Sequence, residues 1–126
     1  MRGFLRREWR RFVDRCVWSW AGWRETWASE PSLRFWAAIV GVSSLAALAL
    51  PLSFAERAVI LPLGVLVLAA ELMNTAVERA VDFVSTERHD LARRAKDAAS
   101  GAVALTAIAG GLGWAVVLWR LAAGGA

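Results

Sequence analysis

The chain has 126 residues, 58% of them hydrophobic, with 15 Lys and Arg against 11 Asp and Glu and a mean hydropathy of +0.45. A soluble domain of this size is less apolar, so the apolar residues read as lipid-facing, and the length suits one membrane domain over 1–126 with a few spans. The net charge of +4 does not indicate nucleic acid: eight basic residues precede residue 35 and five lie between Arg79 and Lys96, a positive-inside distribution rather than a basic groove.

Residues of about 4–28 come first. Leu5, Trp9, Phe12, Cys16 and Trp20 recur at steps of three and four, the helical period. Arg6, Arg10 and Arg11 occupy the intervening face, and Trp18, Trp20, Trp23 and Trp27 favour the membrane–water boundary. This pattern predicts an amphipathic helix lying in the headgroup plane, its arginines toward anionic lipid; packing on a soluble partner is the alternative. Cys16, the only cysteine, excludes a disulfide framework and is expected to be simple packing. No cleavable leader is recognisable, because the first long apolar run begins near Phe35.

Ser29-Glu30-Pro31 reads as a helix start, with Ser29 as the cap and Pro31 just inside. The first span is predicted over 32–54; its Phe35–Phe54 stretch is uncharged and long enough to cross ~30 Å of hydrocarbon. Residues 55–58 are expected to be a minimal turn. The second span, 58–84, stays uncharged until Glu71 and keeps its helical period to about Val84, projecting into the cytoplasm. A charged connection is predicted over 85–94, followed by a third span over 95–120. Gly101, Gly110, Gly111 and Gly113 permit close helix approach there. The fold class is therefore all-α and integral to the membrane, one surface helix plus three transmembrane helices. The N-terminus and the charged connection are placed in the cytoplasm and the C-terminus outside it.

Glu71, Asn74, Thr75 and Glu78 stand at i, i+3, i+4 and i+7 and so share one helix face; Asp82 extends the stripe. Glu30 lies at the same boundary on another helix, and Lys96 is the only lysine. Carboxylates that hold Mg²⁺, a cation for polyphosphate and an acceptor for a hydroxyl proton suit phosphoryl transfer. Glu30 and Glu78 are the candidate metal ligands and the deeper Glu71 the candidate base. Neither a P-loop nor a protein-kinase motif is present. Other readings remain for each residue: interhelical glue for Glu71, a solvated face with Arg79 for Glu78 and Asp82, and positive-inside charge for Arg93, Arg94 and Lys96. A small proton-coupled transporter and a non-catalytic adaptor are the competing classes; neither inverted repeats nor a fourth span favours the transporter.

The stretch "AELMNTAVERAVDFVSTERHDLARRAKDAASGAV" (70–103) resembles the prokaryotic diacylglycerol kinase family. The shared pattern is E-x-x-N-[ST]-A-x-E-x-x-x-D, a charged loop, then A-K-D-x-x-[SA]-[AG]-A-V. The order of elements also matches. The resemblance implies a homotrimeric lipid kinase of the bacterial inner membrane, with sites shared between protomers, that moves the γ-phosphate of MgATP to diacylglycerol. It implies Glu71 as catalytic base with Asn74 organising the site, and Glu30 and Glu78 on the metal. Lys96 and Asp97 would contact the nucleotide, with Asp82 and His89 near it. Arg34 and Trp114 are candidate substrate contacts. Phe35 and Trp36 stand where the diacylglycerol branch often has Gln and Glu, and Arg93 where a Gly is frequent. Undecaprenol kinases are the sister branch and the alternative activity; the S-W-x-G-x-R-x-x-W run from Ser19 to Trp27 favours diacylglycerol.

Overall fold

The computed structural model describes residues 1–84, 87 and 89–124, without the side chain of Arg2. They form four helices, α1 (Arg2–Ser29), α2 (Pro31–Ala49), α3 (Phe54–Val84) and α4 (Asp90–Ala122). α2, α3 and α4 are each long and apolar enough to cross a membrane. Two compact units make up the chain, Met1–Pro31 and Ser32–Ala126.

The first unit is essentially α1. Phe4, Leu5, Trp9, Phe12, Trp18 and Trp20 are all exposed on it, and so is Cys16, which was expected to be packed. Trp23 and Trp27 stack at 6.0 Å between ring centroids, and Arg11 reaches Glu8 at 2.8 Å, both spacings of one helical turn. Ser29 is not the cap of the following helix. It is the last residue of α1, its hydroxyl donating back to the carbonyls of Glu25 at 3.2 Å and Thr26 at 3.5 Å. Glu30 takes the cap position, extended at φ −108° and ψ 107°, and Pro31 opens α2 with the fixed φ a first turn needs.

In the second unit, α2 ends and α3 starts earlier than the hydrophobic pattern implies. α3 begins at Phe54, not 58, because Ser53 and Glu56 form a capping box. The Ser53 N–H donates to Glu56 Oε2 at 2.7 Å, and the Glu56 N–H donates to Ser53 Oγ at 3.2 Å. Arg57 closes the other helix end. Its guanidinium donates to the Ala47 carbonyl at 3.1 Å, a group that the last turn of α2 leaves without a helical partner, and to the Leu50 carbonyl just beyond it at 3.3 Å. Arg120 then ties the end of α4 to this hairpin, donating to Glu56 at 2.6 and 3.1 Å and to the Pro51 carbonyl at 3.2 Å. Beneath it, Ala47, Leu52, Ile60 and Val117 form a buried cluster.

Glu56 thus serves two helices and a loop with one carboxylate. Glu56→Gln retains the cap geometry but loses the charge opposite Arg120, so heating in detergent should inactivate this variant at a lower temperature. Glu56→Asp should fall between the two, since its shorter side chain keeps the charge and gives up reach.

At the opposite end, α4 starts at Asp90, not 95. His89 is its N-cap: the Leu91 N–H donates to His89 Nδ1 at 3.2 Å. Arg93 then bridges Asp90 and Asp97 at 2.7 Å each, the i,i+3 and i,i+4 pairs that let a charged segment remain helical. Of the connection expected over 85–94, residues 85, 86 and 88 lie outside the described ones. Pro62 sits inside α3 and takes a donor from one backbone carbonyl, which transmembrane helices tolerate.

Candidate active site

The inward face of α3 changes character along its length. Ile60 and Val67 are buried, and on the same face so are Glu71 and Thr75, each 3% exposed. Glu71 follows Val67 by one turn, so the carboxylate is buried where the face has so far been apolar. Among the described residues no side chain pairs with it. A polar group in such a place is costly and needs a function or a partner.

One turn further on, the Asn74 amide donates through Nδ2 to Glu78 Oε1 at 3.1 Å. Asn74 Oδ1 is buried and has no hydrogen-bond partner among the described residues. The amide nitrogen is therefore spent on holding Glu78, while its oxygen is left as an acceptor beside the same carboxylate. An unsatisfied buried carbonyl oxygen is destabilising, and a cation or a hydroxyl would relieve it. Among the described residues no three acidic, imidazole or thiol side chains converge as a ready-made metal cluster. Mg²⁺ does not require one, since it takes one or two carboxylates and completes its shell with phosphate oxygens and water. Glu78 with Asn74 Oδ1 fits that mode.

The start of α4 lies beside the end of α3. Lys96 Nζ reaches Asp82 Oδ1 at 2.6 Å, joining two of the residues the sequence singled out. Asp97 does not join them. Its carboxylate is taken by Arg93, the residue at the position where Gly is frequent in the pattern. His89 is spent as the cap of α4. Arg93 and Asp97 are well exposed, so their pairing is weak and readily exchanged. Lys96 and Asp82 are less exposed and bridge two helices.

Three further candidates are Glu30, Arg34 and Trp114. Glu30 is half-buried at the end of α1, its N–H bonded to the Thr26 carbonyl at 2.8 Å, and Arg34 is exposed in the first turns of α2. Trp114 is at the far end of α4 from Lys96, and its indole N–H donates to Ser43 Oγ at 2.8 Å. Sequence reasoning passed over Ser43. The two serines in an otherwise apolar span were its only trace.

This arrangement has known counterparts. A profile of the prokaryotic diacylglycerol kinase family matches residues 17–118, which include the whole α3 stripe and most of α4. The chain belongs to that family. The diacylglycerol kinase of Escherichia coli is 31% identical over 109 residues, covering 86% of this chain and 89% of its own. That of Pseudomonas aeruginosa is 37% identical over 111 residues, with the same two coverages. The undecaprenol kinase of Bacillus subtilis is 36% identical over 103 residues, covering 82% and 84%. Family membership and three candidate spans make this a bacterial integral membrane protein of the kinase class, and the α3 stripe lies in its matched part.

Proposed function

We propose that the protein transfers the γ-phosphate of MgATP to the free hydroxyl of diacylglycerol, giving phosphatidic acid and ADP. One observation carries this reading: in a chain of this family, a single face of α3 presents a buried carboxylate with no side-chain partner among the described residues at one level and an Asn74–Glu78 oxygen pair a turn beyond. The first suits a lipid hydroxyl arriving from the bilayer and the second a metal-bound polyphosphate arriving from water.

In the reaction the lipid oxygen attacks the γ-phosphorus, and the bond to the β-phosphate oxygen breaks as ADP leaves. Glu71 accepts the hydroxyl proton and later releases it to water. Asn74 holds Glu78 in place and offers Oδ1, and Glu78 supplies the charged oxygen; Glu30 is assigned to the metal by the resemblance. Bound there, Mg²⁺ would neutralise phosphate charge as it shifts toward the leaving oxygen. Lys96 contributes a compact ammonium to the phosphates, exchanging its bond to Asp82 for them, while Asp97 and His89 border the nucleotide. Arg34 is assigned to the substrate headgroup. In this reading the protein is a homotrimer of the inner membrane, its N-terminus and α3–α4 connection cytoplasmic, and α1 lies on the membrane surface.

Lys96→Met tests the nucleotide end by itself. KM for ATP should rise by roughly tenfold or more, the loss of one charge-assisted contact, while the KM for lipid stays near its original value. The relative from Bacillus subtilis keeps a second reading in view, phosphorylation of a polyprenol. Purified protein in mixed micelles, given labelled ATP with either diacylglycerol or undecaprenol, separates the two. Preferred labelling of diacylglycerol supports the proposal, preferred labelling of undecaprenol replaces it, and labelling of neither lipid removes both.

A further inference from the structure

The net positive charge of the protein is concentrated in the first half of α1. Residues 2–15 hold six arginines against Glu8 and Asp14, which accounts for all of the +4, while the acidic and basic residues of 16–126 cancel. The first turn of α1 has no acidic residue and its last turn no basic one, so the added charge lies toward the positive end of the helix dipole. Gly3, Arg6, Arg7 and Arg10 stand at i, i+3, i+4 and i+7 and share one face. Arg6, Arg7 and Arg10 are exposed. Among the described residues none of these three side chains has a hydrogen-bond or ion-pair partner, whereas Arg11 is engaged by Glu8. A Cβ built at Gly3 meets nothing within 4 Å, so the helix surface beside the three guanidiniums is open. Like charges at i and i+4, here Arg6 and Arg10, also repel. An anion seated among the arginines relieves both costs.

We propose that Arg6, Arg7 and Arg10 dock the phosphomonoester headgroup of phosphatidic acid, so that α1 is retained at the membrane by the lipid the proposed reaction makes. The choice of that lipid rests on the lipid-kinase reading, whereas the docking face is read from α1 by itself. The neighbouring apolar face favours a membrane anion over a soluble one. Leu5, Trp9 and Phe12 are each more than half exposed, and the rings of Trp9 and Phe12 lie 5.7 Å apart. Such a face enters the boundary of the bilayer and sets the arginines at the level of the headgroups. The headgroup chemistry then favours a monoester over a diester. A phosphomonoester carries about −1.5 to −2 charge at neutral pH and three terminal oxygens. A phosphodiester lipid has one charge and two free oxygens. Guanidinium forks bind phosphate oxygens in pairs, and three forks within two turns are better matched by the monoester.

Cys16, exposed and the only cysteine, shares the helical period of Leu5, Trp9 and Phe12 and accepts a nitroxide with no substitution elsewhere. The full chain, labelled there, is reconstituted without nucleotide in phosphatidylcholine vesicles. These contain either phosphatidic acid or enough phosphatidylglycerol to match its surface charge. Collision of the label with oxygen and with a water-soluble nickel chelate reports how deeply α1 is seated. At matched charge, phosphatidic acid should reach half its effect at a lipid fraction about tenfold lower, the worth of one further bond to a charged group. Arg10→Lys keeps the charge and gives up the fork, so it should narrow that preference and leave the phosphatidylglycerol response in place. Arg6→Gln, Arg7→Gln and Arg10→Gln combined should abolish the preference, with the helix content by circular dichroism unchanged.

Equal responses to the two lipids at matched charge, or a preference that survives the triple substitution, overturns the inference. Soluble glycerol phosphate that reproduces the effect in vesicles of phosphatidylcholine alone makes the ligand a free phosphomonoester and overturns it equally. A preference for phosphatidic acid in a protein that phosphorylates no lipid alcohol keeps the docking face and removes the kinase reading instead.

Discussion

Glu71→Gln should reduce lipid phosphorylation by about a thousandfold or more, the range that a positioned general base contributes, while the helices persist. The substitution is nearly isosteric, so the inward face of α3 keeps its packing. Only the capacity to take the hydroxyl proton is lost. Because the residue is 3% exposed and no described side chain pairs with it, the variant breaks no ion pair and should be no less stable. A structural carboxylate predicts another outcome: similar turnover with an altered melting temperature. Initial rates, together with circular dichroism of the same preparation, separate the two.

The second large effect is at Glu78. Glu78→Gln keeps an oxygen for the Asn74 amide but removes the charge a hard cation requires. The Mg²⁺ concentration for half-maximal rate should rise by at least about tenfold, with part of the activity restored at high Mg²⁺. Asn74→Leu should produce a related defect through a different cause. It removes Oδ1 and also the bond that orients Glu78, so it should lower kcat in addition to raising the Mg²⁺ requirement. Rate measured against Mg²⁺ at saturating ATP distinguishes metal affinity from catalysis in both variants.

How much of this was legible in the sequence follows from the range of the interactions. The i, i+3, i+4, i+7 placement of Glu71, Asn74, Thr75 and Glu78 is a property of one helix, and the Asn74–Glu78 bond follows from it. The number and order of the spans were also legible, because lipid demands long uncharged runs. Helix ends were read less well. Hydrophobicity placed the start of the second span at 58, whereas the local S-x-x-E motif of Ser53 and Glu56 sets it at Phe54. Charge marked 85–94 as a connection, although Asp90, Arg93 and Asp97 pair along a helix that has already begun.

Pairings between helices left no periodic trace. Asp82–Lys96, Glu56–Arg120 and Ser43–Trp114 join residues 14, 64 and 71 positions apart, and nothing in either local pattern selects the partner. Arg57 and Arg120 show the consequence. They were the two basic residues outside the charge-biased segments, and the structure uses both to close the hairpin end.

In the proposed reaction the α3 face is divided by depth, with proton transfer at Glu71 and metal at Glu78. Mn²⁺ binding in the presence of ATP, followed by electron paramagnetic resonance, tests that division most directly. Unmodified protein and Glu71→Gln should bind Mn²⁺ with similar affinity, while Glu78→Gln binds it about tenfold or more weakly. Equal weakening in Glu71→Gln, or full affinity in Glu78→Gln, would contradict the division.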